Sequence, residues 1–153
     1  MSEKTTGSLD RILKSSTPAD LDDYLSRHQE DLMSDERPFT QYMRGLLKKK
    51  GIRQQLLFRA ADISEGYGYK LISQEAITRQ RDVILRLCLA GGFSLVETNR
   101  ALKLYGMAPL YAKIPRDAAL IIAVNTDIRE MDAVNRLLEK HGFPLLYAVN
   151  AAE

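Results

Sequence analysis

The sequence predicts an all-α protein, and three observations carry that expectation. Apolar residues recur at helical spacing along most of the chain, and no stretch alternates with the two-residue period of a strand. Pro, Ser or Thr stands at the expected helix starts, and Gly at several expected ends. Arg81–Tyr111 repeats as Arg116–Tyr147 with one residue inserted, each copy reading helix, short turn, helix, Gly stop, Leu-Tyr.

Composition bounds the rest. A chain of 153 residues makes one domain, or one small domain with an appendage, and can bury a substantial core. Hydrophobic residues at 45% and charged residues at 27% are a normal globular balance. The net charge of +2, from 22 basic and 20 acidic residues, is too even for bulk electrostatic binding. Nucleic-acid binding would need a local basic patch. Cys88 is the only cysteine, so no intrachain disulfide forms. Leu87 and Leu89 beside it suggest a buried thiol in a reducing compartment. The opening MSEKTTGSLD lacks an apolar leader core, and no apolar run approaches membrane-spanning length. The expectation is a cytoplasmic protein with no membrane partner.

Residues 1–37 read as an amino-terminal helical extension. Ser8 can cap a short helix carrying Leu9, Ile12 and Leu13. Thr17-Pro18-Ala19-Asp20 is a stronger start, with Pro at the first helical position. Leu21, Leu25 and Leu32 then form a stripe with Tyr24 and His28 beside it. Asp22, Asp23, Glu30 and Asp31 lack the spacing and Gly of a calcium loop and read as a solvated face. Ser34–Arg37 is a linker. Pro38 restarts the helix, and Phe39, Tyr42, Met43, Leu46 and Leu47 fit an amphipathic face. Lys48-Lys49-Lys50 suits the negative end of the helix dipole, and Gly51 suits the cap. The lysines also suit phosphate contact.

Arg53–Ser73 is the stretch around which the chain is organised. Leu56, Leu57, Ala60 and Ala61 give a first short helix one apolar side. Asp62-Ile63-Ser64 breaks the pattern, and Ser64 caps a second helix carrying Tyr67, Leu71 and Ile72. Two helices joined this closely cross steeply, so the second can lie along a groove while the first braces it.

Thr78 is the expected cap of a helix running to Ala90, with Val83, Ile84, Leu87 and Cys88 inward and Gly91-Gly92 at its end. Ser94-Leu95-Val96-Glu97 reads as a capping box for a helix through Tyr105, closed by Gly106. Pro115 starts a helix to about Asn125, and the last covers roughly Glu130–His141, closed by Gly142. The repeat pairs Arg81 with Arg116, Asp82 with Asp117, Leu85 with Leu120, Asn99 with Asn135 and Tyr111 with Tyr147. The expected architecture is stacked hairpins, each burying a face the other leaves open. The Asp residues complement helix dipoles, and the Asn-Arg pairs tie hairpins by hydrogen bonds rather than hold a ligand.

Gln54, Leu57, Ile63 and Ser64 stand where a Gln, a Leu, a small apolar residue and a Ser mark the helix-turn-helix of the Xre/Cro-like (phage-repressor type) family, which the stretch resembles. The chain departs where Phe58 replaces a small residue, Asp62 a Gly and Gly68 a branched residue. Ser73–Arg81 also lacks the Gly and Pro that follow the family's recognition helix. The whole layout is similar to small bacterial members in which the motif runs into Arg-Asp-containing hairpins. The resemblance implies a lambda-repressor-like bundle at 38–92, paired hairpins over 79–147 continuous with it, and a tail at 148–153.

It also implies a sequence-specific protein for double-stranded DNA, a transcriptional regulator without a cofactor. Gln54 and Gln55 would bond phosphate or a base edge. Ser64, Tyr69 and Lys70 would face the major groove, and Lys49, Lys50 and Arg53 would anchor the backbone. The hairpins could form a homodimer, as two half-sites require. The rival expectation is a non-catalytic adaptor for a protein partner, motivated by Glu65, Glu75 and the modest net charge. No catalytic constellation stands out. His28 and His141 are the only histidines, no Ser sits in a nucleophile elbow and no Gly-rich loop follows a strand.

Overall fold

The computed structural model describes residues 6–28 and 37–147, and all regular structure among them is helical. The chain forms two compact units, Met1–Asp35 and Glu36–Glu153.

The first unit holds α1 (Thr6–Lys14), a 3-10 turn (Pro18–Asp20) and α2 (Leu21–Arg27). Ser8 lies inside α1 rather than capping it, because the helix already starts at Thr6. The Asp20 carboxylate accepts the Thr17 amide at 2.8 Å and the Thr17 hydroxyl at 3.1 Å. These bonds hold Asp20 below the usual carboxylate range. The expected leucine stripe is corrected. The 3-10 turn uses up Pro18–Asp20, and the short α2 that remains buries Tyr24 and leaves Leu21 and Leu25 exposed. His28 is buried beside Tyr24, their ring centres 4.9 Å apart. Leu32, Glu30, Asp31 and most of the expected linker lie outside the described residues.

The second unit holds α3 (Pro38–Lys50), α4 (Gln54–Ala60), α5 (Glu65–Ser73), α6 (Arg81–Ala90), α7 (Leu95–Leu104), α8 (Pro115–Asn125) and α9 (Met131–Lys140). Helix α3 buries Phe39, Met43, Leu46 and Leu47, as its period predicts. It runs antiparallel to α7. Phe39 meets Tyr105 edge-on at 4.7 Å, Arg100 lies 6.0 Å from the Tyr42 ring, and Lys50 reaches Glu97 at 3.0 Å. Helix α6 is the central rod, with every residue from Val83 to Leu89 buried. A helical stretch buried on all sides must be apolar all round, and Val83 to Leu89 is, apart from Arg86 and the thiol of Cys88. The buried Arg86 guanidinium donates to the carbonyls of Ala61 and Tyr147, and burial lowers its pKa.

One turn chemistry recurs. The amides of Ile52, Ile63, Phe93, Met107, Ile128 and Phe143 each bond the carbonyl five residues back. The residue before each has positive φ: Gly51, Asp62, Gly92, Gly106, Asp127 and Gly142. This Schellman geometry satisfies orphan carbonyls at the helix end and turns the apolar residue that follows back onto the helix. It fits the expected Gly stops and extends to Asp, which tolerates the left-handed region better than most residues.

Thr78 does not cap α6, which starts at Arg81. Its hydroxyl accepts the Gln80 amide at 3.0 Å, and its own amide donates to the Tyr105 hydroxyl at 2.9 Å. Thr78 therefore ties the loop before α6 to the end of α7.

The repeated hairpins, α6–α7 and α8–α9, meet through their Arg-Asp pairs. Arg81 donates through both terminal guanidinium nitrogens to Asp117. Arg116 donates to Asp82 in the same forked way, at 3.0 and 2.8 Å. The Tyr111 amide closes on Asp117 at 3.0 Å and the Tyr147 amide on Asp82 at 2.9 Å. Each of these four contacts between the copies has its mirror, which places the two Arg-Asp sites about an approximate two-fold axis. A translational stack would instead hand each reciprocal contact on to a further repeat. The expectation of simple stacking is therefore corrected to a reciprocal pair. The repeated Asn residues serve their own hairpins, Asn99 accepting the Leu110 amide at 2.9 Å and Asn135 the Leu146 amide at 2.8 Å.

The Asp117 side chain is 1% exposed, so removing Arg81 strands a carboxylate. Arg81→Met should cost about 3–5 kcal/mol, as breaking one side of a buried pair does. Arg81→Met with Asp117→Leu should recover much of that loss. Urea denaturation of the two singles and the double checks this, and strict additivity would refute it.

Candidate functional site

The α4–α5 pair is built around Phe58. Helix α4 buries Leu57, Phe58 and Ala61, while Leu56 is 46% exposed and Ala60 is also outside. The inward face is thus rotated from the expected Leu56, Leu57, Ala60, Ala61 set, because the largest apolar side chain takes the core. The Phe58 ring lies against the backbone of Gly68 on α5. A Cβ at Gly68 would come within 2.4 Å of that ring, so the ring excludes any side chain there. Tyr69 meets the same ring edge-on, 5.0 Å away. Tyr67 is half-buried and packs on the core, as expected. Asp62 supplies the left-handed residue of the turn, at φ 60, and Gln74 does the same after α5, at φ 60.

Gln55, Arg59, Ser64 and Glu65 line one open pocket of about 350 Å³ with Phe58, Asp62 and Ile63. The Gln55 amide points at Glu65 across a long 3.5 Å contact. Ser64 stands at the N-cap of α5, and its hydroxyl makes no capping bond. Tyr69 and Lys70 are exposed on α5. Arg53 is exposed at the N-cap of α4, and Gln54, the first residue of that helix, is half-buried. Lys49 is exposed at the end of α3.

Lys50 stands apart from this group. It pairs with Glu97 and sits 5.9 Å from the Phe93 ring, on the α7 side. The structure therefore brings Gln55 and Ser64 into one pocket, sets Tyr69 on the ring beneath it, and commits Lys50 elsewhere. Arg59 was not among the expected residues. Its signal was its place one turn after Gln55, where residues four apart share a helix face.

A second pocket, also about 350 Å³, is lined by Arg59, Ala60, Asp62, Ala90, Arg129, Glu130, Met131 and Asp132. Its Arg129 is structural. It donates to the carbonyls of Phe93 at 2.7 Å and Val124 at 2.9 Å and pairs with Asp127 at 3.3 Å. Cys88 is fully buried, and that burial pushes its thiol well above the usual range. Among the described residues no group of His, Cys, Asp or Glu is arranged to hold a metal ion, and no helix is long and apolar enough to cross a membrane.

Comparison with family models, curated proteins and solved structures finds no match to this chain.

Two measurements check this geometry. An interior helical Gly→Ala change ordinarily stabilises by roughly 0.5–1 kcal/mol. Gly68→Ala should instead destabilise by about 1–3 kcal/mol, as overpacking does. Adding Phe58→Leu should recover part of the loss, as read by chemical denaturation.

The second concerns Glu97. Burial alone would raise its pKa, but the Ser94 amide and Lys50 outweigh burial and hold it below the ordinary 4.5. A depressed carboxylate stabilises the fold above its unfolded pKa. The advantage of wild type over Glu97→Gln should therefore be full above about pH 4.5 and vanish as pH falls through the lower folded value. A denaturation series from pH 7 downward reads it.

Proposed function

We propose that the chain is a sequence-specific double-stranded-DNA-binding protein, a transcriptional regulator of the Xre/Cro-like type. In this reading α3 is the first helix of a lambda-repressor-like bundle, α4 braces, and α5 enters the major groove. The observation that carries the reading is the contact between Phe58 and Gly68. In sequence they are two separate departures from the family pattern. In space they are one exchange of volume: the large residue moved to α4 and the small one to α5. The other departures keep the backbone in the same way, since Asp62 and Gln74 both adopt the left-handed conformation that a Gly would take. A backbone maintained through compensating changes supports a retained docking geometry.

Gln55, Ser64 and Arg59 then offer donors and acceptors to base edges or phosphates near the start of α5. Tyr69 and Lys70 lie further along its open face, and Arg53 and Lys49 flank it. Gln54, half-buried, reaches phosphate from the start of α4. Lys50 keeps a structural role through Glu97.

A second reading is a protein-binding adaptor. Asp62 and Glu65 line the same pocket as Gln55 and Arg59, so the face is mixed in charge rather than continuously basic. A mixed face suits a protein surface better than a polyanion.

Titration of fluorescent genomic fragments at several salt concentrations decides between them. Lys70→Glu should weaken binding by at least about tenfold and reduce the salt slope by about one unit, since each phosphate contact contributes about that much. Glu65→Gln should strengthen non-specific binding by removing a charge that phosphates repel. Both side chains are on the surface, so stability should move by no more than about half a kcal/mol. Absence of binding by wild type at low salt, with both variants unchanged, would replace the DNA reading by the adaptor.

A further inference from the structure

The two hairpins end in matching non-helical segments, residues 108–111 after α7 and 144–147 after α9. Three contacts are the same in both. An arginine of the same hairpin binds the first carbonyl, Arg81 on Ala108 at 3.3 Å and Arg116 on Pro144 at 2.9 Å. An asparagine of the same hairpin accepts the third amide, and an aspartate of the other hairpin accepts the amide of the closing Tyr. The segments part at their last carbonyl. That of Tyr111 accepts the Ile114 amide at 3.0 Å, three residues further along the chain. That of Tyr147 accepts Arg86 Nε. Arg86 is 3% exposed, and its Nη1 donates to the Ala61 carbonyl, in the turn between α4 and α5, at 3.3 Å. Its counterpart in the second copy is Ile121. The first segment is therefore held without such a cation, and what Arg86 adds to the second is the link to the turn.

We propose that residues 144–147 are a strap whose docking on Arg86 sets the α4–α5 turn, so that lifting the strap loosens the candidate face. A guanidinium is planar and rigid, so this one group fixes the Tyr147 and Ala61 carbonyls relative to each other. It is also buried and charged. Lifting the strap leaves a buried charged donor without its acceptor, which costs more than losing a neutral bond. Arg86 must then turn toward water or another acceptor, and its bond to Ala61 goes with it. Ala61 leads through Asp62 and Ile63 to Ser64, the N-cap of α5, and the Asp62 carboxylate lies within electrostatic reach of the same guanidinium. The strap is the part that can lift. Beyond the buried Leu146 it is held through the side chains of Asn135, Arg116, Asp82 and Arg86 rather than by a helix of its own. Coupling of this kind is reciprocal, so whatever orders the face also favours the docked strap. It lies within the chain and is the same whatever the face binds. Only its consequence, that lifting the strap weakens duplex binding, rests on the DNA-binding reading.

Amide hydrogen exchange on the full chain, without DNA, tests it. The Ile63 amide reports the turn, where it bonds the Phe58 carbonyl. The Met107 amide reports a turn of the same geometry that Arg86 does not join. Asn135→Ala removes the acceptor of the Leu146 amide and leaves Arg86 and the turn themselves unaltered. It should speed Ile63 exchange by at least about fivefold, the lower end of ordinary coupling between sites, and leave Met107 unchanged. Asn99→Ala, the same change at the other segment, should leave Ile63 unchanged. In an Arg86→Met background Asn135→Ala should no longer move Ile63, because the link is gone. If a variant fails to fold, wild type decides: in sub-denaturing urea the Tyr147 and Ile63 amides should open with one free energy and one urea slope. Separate openings there, an Ile63 amide that Asn135→Ala does not move, Ile63 and Met107 rising together, equal effects of the two Asn variants, or an effect that persists in Arg86→Met overturns the proposal. A coupled turn in a chain that binds no duplex would leave it standing and count against the proposed function alone.

Discussion

A carboxylate taken out of water needs donors on its oxygens, and Asp117 is almost fully out of water. Its donors are the Arg81 fork from the other hairpin and the Tyr111 amide from the segment before α8. Asp82 imposes the same demand in reverse and meets it with Arg116 and the Tyr147 amide. The two demands together fix how α6 and α8 approach, since one fork alone would leave a hinge and the reciprocal pair does not. They also return the chain after α9 to the side of α6. There the Tyr147 amide bonds Asp82 and its carbonyl accepts Arg86, one turn further along α6. Arg86 in turn donates to the Ala61 carbonyl, in the turn between α4 and α5. Three linked polar contacts thus run from the end of the second hairpin to the turn that presents the candidate site. The hairpins are part of that site's support and not an appendage to it.

Arg86 also shows why the two copies are not interchangeable. Its counterpart in α8 is Ile121, which donates to nothing. The first copy carries a buried cation because its helix lies beside a turn with carbonyls to satisfy, and a buried polar group is tolerated where it closes such a network. The second copy places there an apolar side chain that packs against the core.

Local features were legible in the sequence and distant ones were not. Pro115 and Asn125 bound α8 as expected, because proline fixes φ at a helix start and the apolar period ends there. The Ser94 and Glu97 box formed as read, since both partners sit within one turn. The register of α4 was misread because Leu56 and Leu57 make two sides of a short helix equally apolar. Periodicity finds a stripe but cannot say which of two stripes meets the larger cavity. Thr78 looked like a cap, yet its partner is Tyr105, 27 residues away. Asp82 and Asp117 looked like dipole partners within their own helices, but the cations they bind lie 34 and 36 residues off. No local pattern records such a distance. The Phe58–Gly68 contact was visible only as two departures from the motif the stretch resembles, because fit is a property of a contact and not of either residue.

That contact separates two questions a motif tends to merge. Residues that hold the α4–α5 backbone are constrained by volume, as at Phe58 and Gly68, and by φ, as at Asp62. Gln55, Arg59, Ser64, Glu65, Tyr69 and Lys70 carry the chemistry of the open face. All are exposed, and apart from Tyr69 on the Phe58 ring little packing holds them. Substitution there costs the fold little, so stability preserves neither an affinity for phosphate nor its loss. Glu65 beside Gln55 is the point where these pressures meet. It sits in the first turn of α5, where a carboxylate favours the helix through its dipole, and on the face where a polyanion would repel it. The fold gains from Glu65 whatever the face binds. Its presence therefore says less about the ligand than its charge suggests, and the same holds for Arg59 and Lys70, which sit in the last turns of α4 and α5 where the dipole favours a cation.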